Sequence, residues 1–175
     1  MVSNYFEPAL IDSDINCRFP LIDGGVFANN PALCALAEAR KTAFSEVFED
    51  ESMPDHPTCS DIVMVSIATG SVKRSYEYEK MKKKGAAGWI RPVIDIMMSA
   101  SSETVDYQLQ QLFDICQDPA DPNYYRLSPD LFGADSAMDN VKPENIEALH
   151  QAGLQYVTRN GRLLDEIVTK ITEES

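Results

Sequence analysis

Hydrophobic and polar positions along the chain predict a short strand, a helix, a buried strand and then mostly helix. The first 20 residues keep no period: Tyr5, Phe6, Leu10 and Ile11 are separated by polar breaks, so this stretch reads as irregular. An apolar run at residues 19–22 stops at Asp23-Gly24-Gly25. Asn30 then suits a helix N-cap and Pro31 the first helical position, where a missing N–H costs nothing. Leu33, Leu36, Ala37, Arg40, Phe44 and Val47 recur at helical spacing, predicting a helix over 31–48, followed by an acidic, Pro-containing loop over 49–60.

Residues 62–68 hold five large apolar side chains (Ile62, Val63, Met64, Val65, Ile67), too short for a helix and rich in β-branched types. That composition predicts a strand buried on both faces, as in parallel sheets covered by helices. Helical patterns return over 74–83 and over 91–114, where Ile94, Met97, Met98, Val105, Leu109, Leu112 and Phe113 mark the expected inner face. Residues 124–127 read as a short strand after a Pro- and Asp-rich turn. From Pro143 onward, Ile146, Leu149, Val157, Leu164, Ile167 and Ile171 predict one or two helices, with Gly153 or Asn160-Gly161 as places for a kink. With no internal repeat and no low-complexity linker, residues 1–175 read as one α/β unit.

Composition narrows the function classes. A net charge of −13 opposes nucleic-acid binding, which needs clustered Lys and Arg against phosphate. One stretch runs against that balance. Lys73, Arg74, Lys80, Lys82, Lys83 and Lys84 stand with only Glu77 and Glu79, so the stretch carries +4 and the rest of the chain −17. It reads either as a solvated helix face or as a basic lip meeting lipid head groups. No apolar run reaches the roughly 20 residues of a membrane span. Four scattered cysteines and two histidines, His56 and His150, lack metal-ligand spacing, so no metal or other cofactor is expected. Free thiols and the lack of a charged-then-apolar leader point to the cytoplasm, with peripheral contact at membranes.

Asp23-Gly24-Gly25 alone is a turn. At a strand end in an α/β fold it also lies where ligand-facing residues collect. The glycines would allow unusual backbone conformations and close approach, and Leu21, Ile22, Val26 and Phe27 would partly desolvate the carboxylate. An ordinary Asp, with a pKa of ~3.9, is a feeble base, and desolvation would strengthen it.

Read as one string, Tyr5-Phe6-Glu7-Pro8-Ala9 followed by Leu21-Ile22-Asp23-Gly24-Gly25-Val26-Phe27-Ala28-Asn29-Asn30-Pro31-Ala32 resembles the D-G-G block of patatin-like phospholipases. The later Ser66-Ile67-Ala68-Thr69-Gly70, Trp89, Tyr124-Tyr125-Arg126-Leu127 and Pro143-Glu144-Asn145-Ile146 are similar to that family's C-terminal segments and keep their order. The resemblance implies the C-terminal portion of a three-layer α/β/α fold with a mostly parallel buried sheet. It also implies a lipid acyl hydrolase working by a serine–aspartate dyad. Asp23 matches the dyad base, Gly24 and Gly25 its loop, and Asn29, Asn30 and Pro31 the structural cap of the next helix.

The 175 residues hold no G-x-S-x-G elbow and no glycine-rich oxyanion loop, and Ser71 lacks the second elbow glycine. The family places both elements upstream, so this chain alone is expected to be inactive and to meet its lipid ester only when completed by an N-terminal half. The alternative is a non-catalytic patatin-derived domain that binds lipid or a protein, or that self-associates through an uncovered sheet edge.

Overall fold

The computed structural model describes residues 7–70, 76–116, 118, 121–137 and 139–173. The chain forms two compact units, Met1–Thr58 with Tyr76–Ile115, and Cys59–Ser75 with Cys116–Ser175. Both are helix-rich and each holds a two-stranded sheet, so the class is mixed α/β.

The first unit opens with a β-hairpin where irregular chain was expected. β1 (Ala9–Asp12) pairs antiparallel with β2 (Arg18–Leu21), matching Ile11 to Phe19 and Ala9 to Leu21. The signal lay in the turn: Ser13 N–H bonds to the Cys17 carbonyl at 2.9 Å, and Asn16 takes the left-handed conformation (φ 62°) that Asn tolerates. Tyr5 and Phe6 lie outside the described residues.

The helix expected over 31–48 is two helices, α1 (Ala32–Ala39) and α2 (Phe44–Phe48). Between them Thr42 Oγ1 donates to the Glu38 carbonyl at 3.0 Å, and Ala43 is extended. The apolar spacing runs on across this break through Phe44 and Val47 and does not register it. α3 (Tyr78–Met81) is one turn.

α4 (Ala86–Cys116) starts several residues before the position expected from periodicity and carries Pro92 inside it. Ile94, Met98 and Val105 are half-buried and Leu109 and Phe113 wholly buried, whereas Met97 and Leu112 face outward.

In the second unit β3 (Met64–Ile67) and β4 (Tyr124–Leu127) pair in parallel, Val65 opposite Tyr125. Tyr125 and Leu127 pack with Ile167 of α5 (Pro143–Glu173), joined by Val63, Val65, Tyr156, Leu163 and Leu164. On the other face Arg126 Nη1 donates to the buried Ser66 Oγ at 2.6 Å. β4 is thus covered on both faces. β3 is covered less fully than its composition predicts, since Ile67 at its end is 74% exposed. Gly70, just beyond, has φ 111°, and a Cβ there would sit 2.3 Å from Leu131 Cδ2, so no other residue fits without movement.

α5 is continuous through Gly153 and kinks at Asn160, whose Nδ2 donates to the Tyr156 carbonyl at 2.9 Å. Of the positions expected on its inner face, Leu164 and Ile167 pack into the core, whereas Ile146, Val157 and Ile171 are about half exposed. Asn145, Ala152, Tyr156, Leu163, Ile167 and Lys170 turn inward at helical spacing. Lys170 has only 8% of its side chain exposed and bonds Asp121 Oδ1 at 2.6 Å and the Pro122 carbonyl at 3.0 Å.

Buried Asn145 spans residues 135–140. Its Oδ1 accepts from Asp135 N–H, and its Nδ2 donates to the Asp135 and Asn140 carbonyls. Asn145→Ala strands three backbone groups and should destabilise the chain by about 2–3 kcal/mol. Urea unfolding measures this, and an unchanged midpoint would show that the loop finds other partners.

Candidate active site

Asp23 lies two residues beyond β2 and caps a single 3-10 turn, Gly24–Val26. Its Oδ1 accepts from Gly25 N–H at 2.6 Å, and the Asp23 carbonyl accepts from Val26 N–H at 3.2 Å. The carboxylate is half-buried, and Oδ2 has no hydrogen-bond partner among the described residues. One oxygen is therefore anchored to the backbone and the other is open.

The two glycines differ in role, and neither has a positive φ. A Cβ on Gly25 would lie 2.8 Å from Asp23 Oδ1, whereas a Cβ on Gly24 meets nothing within 4 Å. Gly25 is needed for close approach of its own N–H to the carboxylate, not for a left-handed conformation. Gly25→Ala should rotate Asp23 off this contact and cost about 1 kcal/mol of stability, with Gly24→Ala milder. Thermal melts of both variants check the order, and the reverse order would refute the contact.

Leu21, Ile22, Val26 and Phe27 are all exposed, Phe27 to 87%, so they do not form the desolvating cover expected of them. Residues distant in sequence hold the loop instead. Asn29 Nδ2 donates to the Met98 carbonyl and buried Asn30 Nδ2 to the Ser102 carbonyl, each at 3.4 Å. The two carbonyls are one turn apart on α4. Asn30 Oδ1 accepts from Ala32 N–H at 3.2 Å, capping α1 across Pro31, which is the last residue before the helix. The helix thus begins one residue later than expected: Pro31, expected at the first helical position, stands at the cap position without a side-chain bond, and Asn30, expected as the cap, lies just before it.

Lys82, Lys83 and Lys84 sit at the junction of α3 and α4 and take no part in the hydrogen bonds of the Asp23 loop. Lys73 and Arg74 lie outside the described residues, as does Ser71. Among the described residues no group of three or more His, Cys, Asp or Glu side chains is placed to hold a metal ion, and no helix is long and apolar enough to cross a membrane.

No protein-family model matches the chain. Known proteins do. Patatin-like protein 2 of Oryza sativa subsp. indica is 33% identical over 172 residues, covering 93% of this chain. Patatin-like protein 3 of Arabidopsis thaliana is 34% identical over 149 residues, 79% of this chain, and patatin-like protein 1 of Oryza sativa subsp. indica is 30% identical over 167 residues, 90% of it. The chain belongs to the patatin-like family. It spans 42% of the length of the first of these relatives and 34% and 38% of the other two. What it matches is the C-terminal part of the patatin-like domain. Within this part of the domain, Asn29 and Asn30 tie the Asp23 loop to the first unit's long helix.

Proposed function

We propose that these residues form the base-bearing part of a patatin-like lipid acyl hydrolase that cleaves carboxylic esters of lipids, with Asp23 as the base. The observation that carries this is the split role of its carboxylate. Oδ1 is tied to Gly25 N–H, which fixes the rotamer, and Oδ2 has no partner among the described residues. A general base needs that combination, because the proton must reach an oxygen that is oriented yet not already engaged.

In this reading a serine Oγ, supplied from outside these 175 residues, attacks the ester carbonyl carbon while its proton passes to Asp23 Oδ2. The tetrahedral oxyanion collapses, the C–O bond to the alcohol breaks, and Asp23 returns the proton to the leaving alkoxide. Water then attacks the acyl carbon, giving its proton to Asp23; the C–Oγ bond breaks, the carboxylic acid leaves, and Asp23 returns the proton to the serine Oγ. Gly24 lines the loop and Asn29, Asn30 and Pro31 hold it in register against α4. The whole works as one domain with the N-terminal segment, on the cytoplasmic side of membranes. The deciding test adds an N-terminal segment bearing a G-x-S-x-G serine, in trans or as one chain, and assays hydrolysis of a nitrophenyl ester. Activity that needs both the serine and Asp23 supports the reading. Activity of the 175 residues by themselves would refute it.

A further inference from the structure

Over residues 7–35 the sole buried residue is polar: Asn30, 4% exposed. Both strands of the hairpin, Ile22, Val26 and Phe27 are exposed, so apolar packing does not fix the loop that carries Asp23. That loop is bonded closely to itself. Val26 N–H donates to the Asp23 carbonyl, and Phe27 and Ala28 N–H share the Gly24 carbonyl at 3.0 and 2.9 Å. With Gly25 N–H on Asp23 Oδ1, residues 23–28 form one hydrogen-bonded piece, and its place depends on what holds its end.

Asn29 and Asn30 hold that end through the Met98 and Ser102 carbonyls, and burial separates the two tethers. Water can take the place of the Met98 carbonyl at exposed Asn29. At Asn30 it has no access, so the side chain must keep its protein partners or stand buried and unsatisfied. Both ends of its carboxamide are engaged: Oδ1 accepts from Ala32 N–H at the start of α1, and Nδ2 reaches the Ser102 carbonyl on α4. We infer that Asn30 is a positioning residue for ester hydrolysis, its buried tether to α4 setting where the open oxygen of Asp23 stands. It acts through Asp23 and takes no proton itself, so the inference rests on the reading of Asp23 as base. A reacting group displaced by about 1 Å can lose about 100-fold in rate, which is the effect a released tether should have.

The two ends of the carboxamide use different atoms, so substitution can separate them. Asn30→Ser keeps a side-chain oxygen for Ala32 N–H and loses the amide donor to Ser102. It is assayed on a nitrophenyl ester in the enzyme completed by a serine-bearing N-terminal segment. The expected result is a kcat roughly 100-fold lower with KM nearly unchanged, while circular dichroism shows the variant still folded at the assay temperature. Asn30→Asp, of the same shape, sets a carboxylate oxygen against the Ser102 carbonyl and should be at least as slow; it decides the matter if the serine variant fails to fold. A folded variant of either kind with the parent's kcat would overturn the proposal. So would a raised KM with kcat unchanged, or a greater loss of kcat on Asn29→Ala than on Asn30→Ser. Asp23→Asn in the same assay keeps the two readings apart. Its inactivity beside a fully active Asn30→Ser removes the positioning role alone, whereas an active Asp23→Asn enzyme removes the base on which that role rests.

Discussion

Asp23→Asn should lower ester hydrolysis by about 10^3-fold or more in the assembled enzyme, in line with the loss of an essential general base. The substitution is close to isosteric, and an Asn Oδ1 can still accept from Gly25 N–H, the contact that now holds the carboxylate. The loop, its tethers through Asn29 and Asn30, and the start of α1 should therefore persist. What disappears is the basicity of the open oxygen. Rate and stability should then separate: kcat falls steeply while the urea midpoint stays near that of the parent. Asp23→Ala should be equally inactive, and less stable because Gly25 N–H loses its acceptor. Full hydrolysis by the Asn variant would remove Asp23 from the chemistry. A matching fall in stability and rate would make it a structural cap only.

Phe113→Ala should destabilise the first unit by about 3–5 kcal/mol, a large part of what a domain of this size possesses. Phe113 is wholly buried on the packed face of α4, near Leu109, which is wholly buried too. Removing the ring leaves a cavity whose walls can close only in part, because the helix they stand on is rigid. Ile115, two residues on, is 83% exposed, and Ile115→Ala should stay within about 0.5 kcal/mol. Urea unfolding of the pair compares two apolar truncations in the last turns of one helix. Equal losses would show that α4 is not packed on this side. The comparison bears on the site as well, since the carbonyls of Met98 and Ser102 that hold the Asp23 loop belong to the same helix.

Local signals in the chain were legible where they are self-contained. The strand over 124–127 forms at its expected bounds, and the strand expected over 62–68 forms over its central residues, because short β-branched and aromatic runs between turn residues have few other folded options. The break after Ala39 was missed because apolar spacing continues across it, and the hairpin at 9–21 because its turn rests on Asn16 in a left-handed conformation. Helix faces were the least legible. Apolar spacing marks both sides of α4 and α5, so Met97, Leu112, Ile146 and Ile171 satisfied the period yet face outward.

The sequence by itself determined the patatin-like ancestry, the mixed α/β class and the position of the one carboxylate worth testing. A string such as Asp23 to Pro31 is local and specific, and its capping and turn chemistry travels with it. Tertiary structure alone decided how that carboxylate is held. Gly25 matters for proximity rather than for φ, the apolar neighbours stand exposed instead of covering Asp23, and the loop hangs on two α4 carbonyls some 70 residues away. Backbone carbonyls are the same at every position. Which of them meets Asn29 and Asn30 depends on how a helix packs, and no periodicity in the chain encodes that.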